Sequence, residues 1–257
     1  MDAAAKSPPE RFHRLLPYWA VFQDDIRQIF RSWVYRTWVL VSVAAAAGYL
    51  LYHVGILREA GMIQVASKMI SDLLRWTVYG SVTLVVVLTA GSISGEIGTL
   101  ADSVLSRGIS RYQYFLAKWH ARLVVILGTF FVLGIAALLG SYFLLNDDLS
   151  LGGSLAALVI VATFLAAVIT CGVTVSAISN STVVGITVLW IILYGTAFVL
   201  SLLPPAFPSP DRAVNNLPYV LRGYYDARAV ARLVAYTMAG SCLVAVVGLA
   251  YFARRDV

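Results

Sequence analysis

The sequence predicts an all-α polytopic membrane protein, and three observations predict it. Six long apolar runs recur along the 257 residues. Hydrophobic residues make up 60% of the chain and charged residues only 12%, against roughly 25% charged in a soluble domain. The lysines and arginines flank the apolar runs instead of interrupting them, as membrane topology requires. A net charge of +6 therefore reports topology, and no basic cluster forms a surface for nucleic acid. No internal repeat or long linker divides the chain, so 1–257 read as one membrane domain.

Residues 1–14, with Pro8 and Pro9, read as a flexible N-terminus. The first 37 residues hold no apolar core of the kind a cleaved signal needs, so the N-terminus is expected to be retained. Over 15–36, Trp19, Phe22, Ile26, Ile29, Phe30 and Trp33 recur at helical spacing, opposite Gln23, Asp24, Arg27, Gln28 and Arg31. A basic face with an aromatic stripe suits a helix lying in the membrane interface. A plain amphipathic packing helix predicts nearly the same pattern.

The spans fall at 38–57, 76–94, 123–145, 153–178, 183–203 and 232–253, each near or above the ~20 residues that cross ~30 Å of hydrocarbon. Trp38, Trp76, Tyr142 and Tyr251 sit near their ends as interface anchors. Six spans put both termini on one side. The N-terminal stretch, the 95–122 insert and the tail at 254–257 hold 12 of the 19 Lys and Arg. That excess places both termini and the insert in the cytoplasm, with the chain in the cell's inner (plasma) membrane.

On the opposite side, Met62, Ile63, Ala66, Met69, Ile70 and Leu73 keep helical spacing, so span two is expected to extend outward as an amphipathic helix. Asn146-Asp147-Asp148 reads as a simple acidic turn. Between spans five and six, Pro204, Pro205, Pro208 and Pro210 exclude a regular helix through the first half of 204–231.

The insert GEIGTLADSVLSRGISRYQYFLAKWHAR, 95–122, is the one polar, patterned stretch between long apolar runs. Thr99 stands as an N-cap with Asp102 three residues on, the Thr-x-x-Asp form of a capping box. Leu100, Val104 and Leu105 share a face, and Gly108 follows as a stop. A second start comes at once. Ser110 caps, Gln113 closes a Ser-x-x-Gln box, and Ile109 can staple onto Tyr114. That second helix runs through Lys118 and Arg122 into the next span.

These residues carry a resemblance. Glu96-Ile97-Gly98-Thr99-Leu100, then Leu105-Ser106-Arg107-Gly108-Ile109-Ser110-Arg111, then Lys118, resemble a signature of the type-2 permeases of ATP-binding-cassette exporters. Its pattern is roughly Glu-x-Gly-Thr-Leu, Leu-Leu, Ser-x-Pro-Val-Ser-Arg, then Lys. Gly108 stands where that family usually has proline; both residues break a helix. The closing Tyr251-Phe252-Ala253-Arg254-Arg255-Asp256 also resembles the family's aromatic-basic-acidic end.

The resemblance implies a coupling helix between spans 2 and 3, seated in a cleft of a separate cytoplasmic ATPase subunit. Glu96, Gly98, Thr99, Leu100, Leu105, Ser106, Arg107, Gly108, Ser110, Arg111 and Lys118 are then its coupling residues. Residues 15–36 become an elbow helix bracing it from the side, with Phe22, Asp25, Arg27 and Arg31 among its contacts. The resemblance further implies a second permease copy, a homodimer in the simplest case. It implies short re-entrant helices between spans five and six that close the outer mouth, where the residues alone are equally compatible with an ordinary loop. Glu96 is the leading candidate for an ion pair with a partner arginine, against the alternative of a solvated acid at a helix start. Arg107 and Arg111 suit the ATPase or anionic lipid headgroups equally.

What the sequence lacks narrows the chemistry. No Gly-Lys dipeptide occurs, so no Walker loop cradles phosphate on this chain. ATP and magnesium are expected on the partner, with no cofactor, metal or catalytic residue here. No Asp, Glu, Lys, Arg or His lies in the middle of a predicted span, which argues against the proton relays of secondary carriers. His13, His53 and His120 are scattered and pair with no cysteine. Cys171 and Cys242 read as small packing residues. Ser92 and Ser94 beside glycines hint at an intramembrane protease, but Ser replaces the glycine that motif requires and no histidine follows His120. Two readings stand: an exporter permease, and a non-transporting membrane scaffold or assembly protein.

Overall fold

The computed structural model describes residues 15–60, 65–96, 109–144, 148–202, 204 and 209–254. It is 88% helical, with no strand among the described residues. In chain order the helices are α1 (Leu16–Arg31), α2 (Trp33–Ala60), α3 (Ala66–Ala90), α4 (Arg111–Leu144), α5 (Leu151–Ile178), α6 (Thr182–Leu202), α7 (Pro210–Asn215), α8 (Leu217–Leu221) and α9 (Ala227–Arg254). Six of them, α2 to α6 and α9, are long and apolar enough to cross a membrane. The chain is a multi-pass membrane protein.

The six spans are those the hydropathy predicts, but several begin earlier. The first starts at Trp33, not at residue 38, because Ser32 leaves the helical region with φ −59° and ψ 129°. The corner is sealed locally. The Ser32 N–H donates to the Gln28 and Ile29 carbonyls, and Arg36 Nε donates to the Phe30 carbonyl at 3.0 Å, satisfying groups a helix end leaves open. Residues 33–36, predicted to close the amphipathic helix, therefore open the span. Span two starts earlier than residue 76, since α3 runs unbroken from Ala66; Met62 and Ile63 of the predicted extension lie outside the described residues.

Helix α5 is the centre. Of its most apolar stretch 83% is buried, against none for α2. Its sequence is apolar all round and rich in Gly, Ala, Ser and Thr, a pattern that suits burial on every side and close approach of neighbours. Helices α3, α4, α6, α8 and α9 surround it, α2 lies outside against α3 and α4, and α1 crosses α4 at one end. Several hydroxyls inside the spans return to their own helix: Thr89 to Val85, Thr129 to Val125, Thr163 to Val159, Thr170 to Ala166 and Thr187 to Val183. Between helices, Tyr35 bonds Thr129 at 2.6 Å, Trp38 donates to Ser81 at 3.2 Å and Trp119 donates to Thr170 at 3.0 Å.

At the end opposite α1, residues 209–226 contain the two short helices α7 and α8. Val214, Leu217, Val220 and Leu221 are buried in one apolar cluster with α3 and α5. Ser150 caps α5 by accepting from Gly153 N at 2.9 Å, and its own N–H donates to the Leu221 carbonyl at 2.9 Å. Of the predicted acidic turn, Asn146 and Asp147 lie outside the described residues, and Asp148 makes long-range bonds. Its Oδ1 accepts from Ser67 N at 2.9 Å, capping α3 from a different connection, and its Oδ2 accepts from Ser67 Oγ at 2.6 Å and Arg222 Nε at 3.2 Å.

Gly153 is required by this junction, because a Cβ there would run into the Val220 and Leu221 carbonyl oxygens. Backbone cannot yield as a flexible side chain can. Gly153→Val is expected to cost about 1–3 kcal/mol, the usual range for overpacking. Thermal unfolding in nanodiscs will show it as a lowered Tm, while Gly195→Val, which meets open space on α6, leaves Tm near the parent value.

Candidate functional site

Charged side chains from three places converge where α1 crosses α4. Helix α4 supplies Tyr114, Lys118 and Arg122, which recur every four residues and so share one face. The start of that helix is fixed by the predicted capping box: Gln113 N donates to Ser110 Oγ at 3.2 Å, and Ser110 N donates to Gln113 Oε1 at 3.3 Å. Ile109 packs in the same apolar cluster as Tyr114, in the arrangement of a staple.

Glu96 arrives from the turns that follow α3. Those turns are pinned to α5, since Ile93 N and Ser94 N donate to Ser176 Oγ at 2.9 and 3.0 Å. Both oxygens of Glu96 are engaged within the chain. Lys118 Nζ donates to Oε1 at 2.8 Å, and Tyr114 OH donates to Oε2 at 2.7 Å. Asp25 comes from the buried face of α1. Its Oδ1 accepts from Lys118 Nζ at 3.1 Å and from Arg122 Nη2 at 3.4 Å. Arg122 Nη1 donates in addition to the Leu88 carbonyl of α3.

Two acids and two bases make a neutral quartet. Burial is deep for three of them: the side chains of Asp25, Lys118 and Arg122 are 1%, 4% and 7% exposed, while Glu96 keeps 28%. Ions so far from water persist only when paired and hydrogen-bonded. The pairing is incomplete, for Asp25 Oδ2 and Arg122 Nε are buried with no hydrogen-bond partner. Burial alone would push the Glu96 carboxyl up. The charge of Lys118 and hydrogen bonds from Lys118, Tyr114 and Gln28 outweigh it, and its pKa is held below the ordinary glutamate value.

Of the predicted site residues, the structure brings together Glu96, Lys118 and Asp25, which sequence reasoning had assigned to two separate elements. Gly98, Thr99, Leu100, Leu105, Ser106, Arg107 and Gly108 lie outside the described residues, as does the Thr99–Asp102 box. Ser110 caps α4, and Arg111 follows it as the first residue of that helix. Arg27 and Arg31 point outward from α1, exposed. Phe22 stacks on Tyr18 with ring centroids 6.0 Å apart, and Tyr18 OH bonds His120 Nδ1 at 2.9 Å.

The side of α1 packed into the bundle is centred on Asp25 and Ile29, while Trp19 and Phe30 of the aromatic stripe remain exposed, and Trp33 begins α2. Helix α4 begins at Arg111, ahead of the predicted span at 123–145, and carries Lys118 and Arg122 buried in its first part. Arg122 is the residue sequence reasoning missed. The signal was the four-residue spacing of Tyr114, Lys118 and Arg122, together with an aspartate set among Phe22, Ile26 and Ile29.

No family model matches the chain, and no curated protein matches it.

Removing one member of the quartet strands a charge. Asp25→Ala leaves Lys118 and Arg122 buried with Glu96 alone and is expected to cost about 3–5 kcal/mol. A paired change to apolar residues, Asp25→Leu with Lys118→Met, is expected to cost less than the single change. Comparison of Tm for the two variants in nanodiscs checks it.

Glu96 gives a pH dependence. A carboxyl with a folded pKa below its unfolded value of about 4.3 contributes stability that is complete above that value. The contribution is lost as pH falls through the folded pKa. The parent chain should therefore lose Tm below about pH 4.3, and Glu96→Gln should show a shallower fall over the same interval.

Proposed function

We propose that this chain is the membrane subunit of an ATP-binding-cassette exporter, paired with a second copy around a translocation pathway. Each copy docks a separate cytoplasmic ATPase subunit on the 95–122 region. ATP and magnesium belong to that subunit, and both termini face the cytoplasm across the plasma membrane. The observation that carries the reading is the location of the charge quartet. It sits at the neck of the insert, where the chain leaves α3 at Glu96 and enters α4 at Ser110. The ion pair Glu96–Lys118 ties the two sides of that neck together, and Asp25 ties both to α1.

In this reading α1 is the elbow helix and 97–111 meets the ATPase through Gly98, Thr99, Leu100, Leu105, Ser106, Arg107, Gly108, Ser110 and Arg111. Glu96 and Lys118 act one step inward, as the root on which the coupling helix stands. A push on the insert then reaches α3, α4 and α1 as one body, because separating them would expose buried ions to an apolar medium. Energy enters from the partner, and this chain performs no chemistry. Spans with hydroxyls and no charge at their middles suit an amphiphilic or apolar cargo better than a small ion.

The test is purification of a tagged chain in mild detergent and nanodiscs, with identification of accompanying proteins and assay of vanadate-sensitive ATP hydrolysis. Wild type should bring an ATPase with it. Arg107→Glu combined with Arg111→Glu should release it, and Glu96→Gln should retain it while lowering the response of hydrolysis to the membrane subunit. If no ATPase accompanies the wild-type chain in either medium, the exporter reading is lost and the non-transporting scaffold takes its place.

A further inference from the structure

The two ends of α3 are held by different physics. At the Glu96 end, its last turn and the residues after it are locked to α5. Ile93 N and Ser94 N donate to Ser176 Oγ, Thr89 lies so close to Gly172 that a Cβ there would collide with it, and Leu88 receives the buried Arg122. At the other end Asp72 meets Tyr49 of α2, and among the described residues one polar tie joins α3 to the α5 and α8 side. Asp148 caps α3 through Ser67, and Arg222 donates to Ser67 Oγ at 2.9 Å and to Asp148 Oδ2 at 3.2 Å. The Arg222 and Asp148 side chains are 39% and 31% exposed, within reach of solvent and salt.

An exposed pair contributes little and is screened by ions, whereas a buried quartet is costly to open. The rest of the α3 seam with α5 and α8 at this end is packed by apolar residues, Ala66, Met69 and Ile70 among them. In a membrane that contact is weakly held, since lipid tails offer α3 nearly the same dispersion contacts. Helix α8, by contrast, is fastened to α5 through the Ser150–Leu221 backbone bond and the close approach at Gly153.

We propose that the Ser67–Asp148–Arg222 tie is a releasable catch, and that α3 swings away from α5 and α8 about its Ser176-bound end. Arg222 and Asp148 are its positioning residues. The inference needs no assumption about what drives the motion, and it stands apart from the exporter reading.

Spin-label distances in the full chain test it, in nanodiscs and in a Cys171→Ala, Cys242→Ala background. One pair reports the seam, Lys68→Cys with Tyr219→Cys, both exposed positions on α3 and α8. The other, Leu151→Cys with Tyr219→Cys, reports α5 against α8. At low salt each pair should give one distance. Arg222→Gln should raise the population of a longer Lys68–Tyr219 distance roughly tenfold, the factor equal to about 1.4 kcal/mol. Molar NaCl on the unmutated Arg222 chain should raise it roughly two- to threefold, the scale of a screened exposed pair. The Leu151–Tyr219 distance should stay fixed in both. An unchanged Lys68–Tyr219 distance under both treatments overturns the catch. Lengthening of both pairs overturns it too, because α8 and not α3 would then be the moving part.

Discussion

A carboxylate or an ammonium buried among apolar helices must find an opposite charge, and that requirement organises the end of the bundle where α1 crosses α4. Asp25 is 1% exposed at its side chain and Lys118 4%; neither tolerates the loss of the other. Because Asp25 belongs to α1, Lys118 and Arg122 to α4, and Glu96 to the chain leaving α3, satisfying four charges also fixes three segments against one another. Apolar packing alone would not choose this arrangement. In a membrane, helices exchange lipid contacts for helix contacts at little gain, and α1 with its exposed Trp19 and Phe30 has other apolar surface to offer. The aspartate selects one.

The rest of the bundle depends on α5 in a different way. Its glycines, alanines, serines and threonines admit neighbours to short distance, so dispersion and a few hydroxyl contacts replace the water-driven association of a soluble core. Ser176 at one end of α5 and Ser150 at the other each receive backbone N–H groups that a helix end or a turn leaves open. The same helix therefore anchors the α3 terminus, the start of α6 through the short 179–181 connection, and α8. Helices α2, α6 and α9 keep wide apolar faces outward, with Leu40, Leu51, Ile191, Phe198, Leu243 and Val246 among the exposed residues, as surfaces that meet lipid or another membrane helix do.

The two polar clusters differ in what they permit. The quartet is neutral and, apart from Glu96, deeply buried, so it behaves as a rigid joint. The Ser67–Asp148–Arg222 tie is partly wet, and it joins the start of α3 to two connections through side-chain bonds whose strength depends on the surrounding solution. A bundle that is stiff at one end and conditionally fastened at the other has a direction built into it.

Much of this was legible in the residues. Six runs of ~20 apolar residues can be satisfied in only one way, since the backbone must bond to itself within hydrocarbon. The start of α4 was equally plain, because a capping box and a staple act over five residues and need no tertiary partner. Ser32, a serine between an aromatic run and an apolar run, carried no comparable local signal, and the helix corner there moved the start of the first span. Asp25 and Asp24 are chemically the same in sequence; burial of α1 on α4 distinguishes them. Asp148 looked like a turn acid until Ser67 and Arg222, 81 and 74 residues away, were folded against it. Local geometry and the polarity of the medium are written into short stretches of sequence. The choice of which charge meets which is long-range, set by where whole helices cross, and only the tertiary structure decided it.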